Sequence, residues 1–542
     1  MERPECQPRH GLGRRLAERG RSAEGRVLSR KLLSSLAVVG QMTLVSRVLG
    51  FVRDQIIAGV FGASVASDAF FVAFKIPNFF RRLFAEGAFA QAFVPVFTTY
   101  RSGDHPREIA GLVDAIFGIM TAAVLATVVV GILAAPAVIW LFAPGFVHQP
   151  GHYALTVSLL RITFPYLLFI SLTALFGSVL NTYGRFSIPA VTPALLNVAM
   201  IAAALLLSPR LAEPVLGLAC GVLVGGALQL ALQFGAVLKL GLRPVPRLDF
   251  RHPGVRRILA LMAPALFGVS VGQINLLVDT LMASFLRTGS ISWLYYSDRL
   301  VEFPLGIFGV ALGTVILPHL SLQHADGRAE HFSATLDWAL RLVVLVTLPA
   351  AVGLAVLAVP LVSTLFQYGA LTSHDVTMAA RSLVAYASGL TGFVLIKILA
   401  PGFYSRQDMR TPVRAATIAM LANLVLNVAL MFPLAHAGLA LATSLSAALN
   451  AGLLLRALRR DGSYRPAPGW TRFLLQVTGA TAAMAFAVWF AAGDAGPWLE
   501  RHAAGRALRL ALAIGAGGAV YAAALWLLGV RFERMAQPAG QV

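Results

Sequence analysis

Apolar stretches long enough to cross a bilayer recur along the whole chain, broken by short polar loops. A spanning helix needs about 20 predominantly apolar residues. In hydrocarbon the backbone has no partner but itself, so such stretches must be helical. Of 542 residues, 58% are hydrophobic and 13% are charged, and the mean hydropathy is +0.75. A soluble surface of this size needs more charge. The expected fold is an all-α polytopic membrane protein of fourteen helices, at 33–60, 67–100, 111–142, 153–182, 188–208, 215–238, 257–286, 290–320, 335–367, 375–404, 412–432, 437–457, 470–491 and 507–529. Internal Pro77, Pro165, Pro264, Pro304 and Pro349 mark expected kinks.

The net charge of +20 comes from 44 Lys and Arg against 24 Asp and Glu. Nucleic-acid binding does not follow, because the basic residues are spread over loops between apolar segments. Loops on one side carry Arg101, Arg185, Arg243, Arg247, Arg251, Arg406, Arg459 and others, while 143–152 and 367–375 on the other side carry no Lys or Arg. This alternation places both termini in the cytoplasm. The two cysteines, Cys6 and Cys220, stand far apart with no zinc or redox spacing.

The basic stretch 1–31 lacks a cleavage site and runs into a charged helix, so it reads as a disordered cytoplasmic arm or an over-long start rather than a signal peptide. The rest divides into a first lobe (32–240), a basic linker (241–256), a second lobe (257–460), a C-terminal helix pair (466–530) and a cytoplasmic tail (531–542). The lobes echo each other. LLNVAM in the first and VLNVAL in the second lie 230 residues apart. Such a repeat implies two six-helix bundles related by a pseudo-two-fold axis along the membrane normal, with a site between them at the midplane; chance likeness between apolar helices is the competing explanation.

The segment 46–95 puts charge inside membrane-length sequence. It holds Arg47, Arg53, Asp54, Asp68, Lys75, Arg81, Arg82 and Glu86. A charge at the bilayer centre costs roughly 2.5–3.5 kcal/mol, so repeated cations imply a water-filled cavity for an anion. Gly50, between Arg47 and Arg53, permits a helix break. Arg53 and Asp54 are sequence neighbours pointing about 100° apart on a helix, which makes them a poor pair and leaves Arg53 to face the cavity; snorkelling is the alternative. Arg82 and Glu86 form an i,i+4 pair, while Arg81 lies off that face as a candidate for substrate. Asp68 and Lys75 are a candidate internal pair. In the eighth helix Asp298, Arg299 and Glu302 precede Pro304. Arg299 is either held at Glu302 or free to act. Three arginines, Arg53, Arg81 and Arg299, could converge on a diphosphate, whose oxygens suit a planar guanidinium fork.

Asp279, Asn423, Asn427 and Thr443 are oxygen-bearing residues in apolar helices. They suit a hard cation such as Na+, or plain interhelical hydrogen bonds. No P-loop, GxSxG or HExxH context occurs, which gives no support to an enzyme.

The motifs SRVLGFVRD, SDAFFVAFKIPNFFRRLFAEGAFAQAFVP, YYSDRLVEFPLGIFGVALGT and LAPGFYSRQDMRTPV resemble the lipid II flippase (MviN) family of the MOP transporter superfamily. The resemblance runs from residue 32 to the last helix; the arm 1–31 departs from it. It implies a transporter, with no cofactor except a possible coupling Na+, that moves an undecaprenyl-diphosphate-linked peptidoglycan precursor (lipid II) across the bacterial inner membrane. It implies essential cavity arginines at Arg53, Arg81 and Arg299, with Arg47 and Asp54 close by. It implies a sodium site at Asp279, Asn423, Asn427 and Thr443, with Asn427 standing where a carboxylate sometimes occurs. It also implies a lipid-tail groove at helices thirteen and fourteen. Lipid II, membrane lipid and the cell-wall synthesis machinery are the implied partners. A cation-coupled drug exporter and a flippase for another polyprenyl-diphosphate oligosaccharide are the alternatives.

Overall fold

The computed structural model describes residues 40–82, 89–103, 105–500 and 502–530. The arm 1–31, Glu86 and the tail 531–542 lie outside the described residues. Among those described, the regular structure is helical, and nine stretches are long and apolar enough to cross a membrane. Where they fall on described residues, the expected segments lie largely on helix.

The first helix, α1 (40–61), runs unbroken through Gly50, contrary to the expected break. Helical hydrogen bonds continue past a lone glycine, which costs a helix interior only about 0.5–1 kcal/mol. A capping box then opens α2 (Val65–Phe80): Ser64 Oγ accepts from Ser67 N and Ser67 Oγ accepts from Ser64 N. The chain resumes at α3 (Ala90–Ser102) and continues through α4 (Pro106–Leu133) and the short α5 (Ala135–Phe142). Pro165 separates α6 (Pro150–Thr163) from α7 (Tyr166–Thr182), as its missing N–H requires. Then come α8 (Ser187–Ala202) and α9 (Val215–Leu238). These two lie close because Gly221 and Gly225 face α8; a Cβ there would stand 2.7 Å from the Ala203 Cβ and 2.8 Å from Leu196 Cδ1.

The second half begins with α10 (Pro253–Ala283) and α11 (Ser290–Pro304). At Pro304 the ladder passes through a π-helical turn, Leu305–Gly309, into α12 (Val310–Ala325). Next are α13 (Ala329–Val356), α14 (Ala358–Phe366), α15 (Ser373–Ala387) and α16 (Leu390–Tyr404). The long α17 (Arg410–Arg460) is two helices meeting at Ala435, whose φ of 49° and ψ of −129° are not helical. The chain closes with α18 (Trp470–Ala492), the short α19 (Gly496–Glu500) and α20 (Ala503–Leu527).

Packing is densest within each half: α2 against α6, α7 and α8 against α9, then α13 and α17 against α16 and α15 against α17. The last pair, α18 and α20, pack on each other, and α18 also packs on α13. Between halves, α2 meets α11, and α10 meets α3 and α5. The basic linker is strapped along α4: Val245 N donates to Asp114 Oδ1 at 2.9 Å and Arg247 N donates to the Asp114 carbonyl at 3.1 Å.

The approach of α16 to the second arm of α17 depends on a missing side chain. A Cβ on Gly389 would stand 2.6 Å from Ser444 Cα, and Ser444 Oγ donates to the Ala385 carbonyl at 2.7 Å. Gly389→Val should therefore overpack this crossing and destabilise the protein by about 1–3 kcal/mol. The readout is a lowered thermal midpoint in detergent, and an unchanged midpoint would contradict the packing.

Candidate functional site

Asp54 on α1 is 1% exposed and collects partners from both halves of the chain. Arg53, its sequence neighbour, donates to Asp54 Oδ1 from Nε at 2.9 Å and from Nη2 at 2.6 Å. Arg299 on α11 brings its Nε to 2.9 Å from Asp54 Oδ2. Tyr295, one turn before Arg299, donates its hydroxyl to Asp54 Oδ1 at 3.0 Å and accepts from Arg53 Nη2 at 3.1 Å and Arg299 Nη2 at 3.0 Å. The Tyr295 ring stacks on Phe71 of α2 with centroids 4.0 Å apart.

The Arg53–Asp54 pair corrects the sequence expectation. Two neighbours on a helix do diverge by about 100° at Cβ, but an arginine side chain is long enough to fold back. Its Nε and Nη2 then form a fork on one carboxylate oxygen. Burial makes the pairing necessary, because an unpaired buried carboxylate costs several kcal/mol.

Exposure separates the two arginines. The Arg53 side chain is 8% exposed and its three nitrogens are engaged with Asp54, Asn197 and Tyr295. The Arg299 side chain is 35% exposed, and its Nη1 donates at 2.7 Å to Glu302, itself 46% exposed. Arg299 is therefore the guanidinium of this pair that an incoming anion can reach; Arg53 stands behind it.

Other candidates take different positions. Arg47 is exposed and lies over Gly306 in the π-helical turn, where the missing Cβ leaves room for its guanidinium. Arg81 Nε donates to Asn78 Oδ1 at 3.1 Å, at the end of its own helix. Arg82 is exposed. Lys75 does not pair with Asp68; its acidic neighbours are Asp279 and Asp298. The seven-residue spacing put Asp68 and Lys75 on one face, but the Asp68 carboxylate is taken up by Gly289 and Ser292 in the other half of the chain. Asp298 is exposed.

Asp68 instead caps α11. Gly289 precedes that helix with φ 96°, and having no side chain it cannot cap. The Asp68 carboxylate supplies the cap from the other half, accepting from Gly289 N at 2.6 Å, Ser292 N at 2.9 Å and Ser292 Oγ at 2.6 Å. A carboxylate at a helix N-terminus satisfies orphan N–H groups and meets the positive end of the dipole. Nearby, Ala370 N donates to the Gly59 carbonyl at 2.7 Å, Tyr296 OH to the Gly62 carbonyl at 3.2 Å and Gly145 N to Ser284 Oγ at 3.0 Å. These bonds join loops 62–64, 143–149, 284–289 and 367–372, all on the face opposite the basic loops. They latch the two halves there.

The residues considered for a cation also gather. Asn427 Nδ2 donates to Asp279 Oδ1 at 2.8 Å and Asn423 Oδ1 at 3.0 Å, while Thr443 Oγ1 donates to Asp279 Oδ2 at 3.3 Å. Asn427 Oδ1 is buried without a hydrogen-bond partner among the described residues. Oxygen donors around a single carboxylate fit a hard monovalent cation in kind. Among the described residues no group of three or more His, Cys, Asp or Glu is placed to hold a metal ion.

Sequence reasoning missed Tyr295 and Asn197. Tyr295 sat visibly in WLYYSDR, one turn from Arg299. Asn197 was visible only as the asparagine of LLNVAM.

Two apolar half-bundles around shared internal charges define a polytopic helical membrane protein. The fold is shared with an inward-facing multidrug resistance MATE family transporter of the MOP superfamily, at TM-score 0.61 and 14% identity over 79% of this chain and 98% of the other. The chain belongs to the MurJ family: residues 57–498 match the family model described as lipid II flippase MurJ. It is 48% identical to a probable lipid II flippase MurJ of Vibrio cholerae over 93% of this chain and 98% of that protein. It is 44% identical to the lipid II flippase MurJ of Burkholderia cenocepacia, over 92% and 98%. A solved lipid II flippase MurJ in an inward closed conformation matches at TM-score 0.76 and 28% identity, over 92% of this chain and 99% of that one.

Asp68→Ala should loosen the latch. It strips the partner from two backbone N–H groups and a hydroxyl, at about 1–3 kcal/mol, enough to raise the open fraction roughly 5- to 150-fold. Thiol labelling of a cysteine placed at Ser290, which is buried beside the Asp68 cap, should accelerate accordingly; unchanged labelling would remove Asp68 from the latch.

Proposed function

We propose that this chain is a lipid II flippase that carries the diphosphate-linked head group from the cytoplasmic to the outer leaflet of the inner membrane by alternating access. The observation that carries this reading is the Asp54 cluster: one buried carboxylate holds a guanidinium from each half, and Arg299 keeps an accessible face. Family membership supplies the substrate class.

Binding follows from charge. Arg299 offers a planar fork to phosphate oxygens, and Arg47 and Arg82 stand exposed as further cations. An anion there competes with Asp54 and Glu302 for Arg299. That competition biases the equilibrium between conformations, because a ligand shifts a conformation only through differential contacts. The latch made by Asp68 closes the outer face while the head group enters from the cytoplasm, the side we assign to the basic loops. Release outward requires the Asp68 cap to part from α11. The apolar tail stays in lipid. Each charge that crosses the field adds about 2.3 kcal/mol per 100 mV. A sodium ion would be held by Asp279, Asn423, Asn427 and Thr443, where it supplies positive charge to Asp279.

The test is complementation of a conditional flippase mutant at matched expression, with lipid II translocation measured in vesicles. Arg299→Ala removes charge-assisted bonds worth about 1.5–3 kcal/mol, so translocation should fall roughly ten- to hundredfold. Arg53→Ala should fail too, by leaving Asp54 free to sequester Arg299. Normal growth and translocation with Arg53→Ala, Arg81→Ala and Arg299→Ala alike would overturn the anion-binding reading.

A further inference from the structure

Asn197 belongs to none of the charged groups described above, yet it holds the less accessible of the two guanidiniums at Asp54. It lies on α8, buried at 6% exposure. Its Oδ1 accepts from Arg53 Nη1 at 3.0 Å, and its Nδ2 donates to the Ser46 carbonyl at 3.1 Å. A single amide thus grips α1 twice, once through a side chain and once through the backbone about two turns earlier. Gly50 lies between these points, and a Cβ there would be 3.5 Å from Asn197 Nδ2.

The residue type fits the task. A carboxamide is the neutral side chain that offers an acceptor and a donor side by side. Aspartate in its place would neutralise Arg53 and could not donate to Ser46. Alanine would leave a buried guanidinium arm and a buried carbonyl without partners, at about 1–3 kcal/mol for each group.

The repeat gives an independent indication. Asn197 is the asparagine of LLNVAM, and Asn427, 230 residues later, is that of VLNVAL. Asn427 donates to Asp279 on α10, the first helix of the second half, as Asn197 bonds Arg53 on α1, the first helix of the first half. Both halves use the same repeat position to fix an ionisable residue of their leading helix. In one the residue is a guanidinium donor and in the other a carboxyl acceptor, which an amide can accommodate by presenting its oxygen or its nitrogen.

We infer that Asn197 is a positioning residue for anion binding, acting through Arg53 and Asp54 on Arg299. With Arg53 fixed, Asp54 Oδ1 is satisfied from behind and only Oδ2 engages Arg299. With Arg53 released, both oxygens turn to Arg299 and draw its guanidinium into a bidentate pair, away from the ligand. This inference rests on the proposed role of Arg299.

The test uses purified full-length protein in lipid nanodiscs, with undecaprenyl diphosphate and undecaprenyl monophosphate as probes. Arg299→Ala comes first. Diphosphate affinity equal to that of the unmodified protein would overturn the anion-binding reading itself. With that affinity lost, Asn197→Ala should weaken diphosphate binding roughly three- to tenfold and monophosphate binding less, whereas general destabilisation lowers both alike. In an Arg53→Ala background Asn197→Ala should have no further effect, because the two act as one unit. Unchanged binding by Asn197→Ala, equal loss for both probes, or a full additional loss in the Arg53→Ala background would each overturn the positioning role. Should Asn197→Ala fail to fold, Asn197→Asp decides. It keeps the shape and the acceptor but adds a charge and loses the Ser46 bond, so diphosphate affinity should drop; unchanged affinity would overturn the inference.

Discussion

A single carboxylate between two guanidiniums ties the halves of this transporter together at its centre. Asp54 is almost fully buried, with Arg53 from its own helix on one oxygen and Arg299 from the other half on the second. In a low-dielectric interior neither partner can be removed without leaving an uncompensated charge. Any motion that parts α11 from α1 leaves Asp54 with Arg53 but must re-pair Arg299. Under the proposed function an anion entering beside Arg299 takes the place of Asp54 there, which would couple substrate binding to separation of the halves by electrostatics.

The contacts on the face opposite the basic loops are of another kind. They are caps and backbone bonds: Asp68 on the α11 N-terminus, Ala370 N on the Gly59 carbonyl, and Gly145 N on Ser284. Such bonds are directional and fail together once the surfaces separate, and the groups they free can be taken up by water at little net cost. On the other face the linker strapped to Asp114 holds the halves in sequence. The charged cluster and the latch share α2 and α11: Phe71 stacks on Tyr295 three residues after Asp68, and Tyr295 lies three residues after Ser292. A tilt of α11 must move both.

Much of the local chemistry was legible in the chain. Arg299 with Glu302 follows from i,i+3 spacing, and the Asn423–Asn427 bond follows from i,i+4 spacing. Misreadings came where geometry beyond Cβ direction mattered. Arg53 and Asp54 pair because the arginine is long. Asp68 does not pair with Lys75 because its carboxylate caps a helix that is remote in sequence and close in space. Gly50 does not break α1, since one glycine costs a helix less than a lost turn of hydrogen bonds.

The sequence by itself determined the solvent and the secondary structure, because apolar length forces helices in lipid. Its basic loops and repeated intramembrane cations set the expectations, carried into the proposed function, of an orientation and of an anionic cargo. Only the tertiary structure decided which cations are free to meet that anion. Burial and pairing depend on neighbours more than a hundred residues away, such as Asn197 and Tyr295 at Arg53 or Gly289 at Asp68. No periodicity in a single segment encodes such distances, because they arise when two separately patterned halves close on each other.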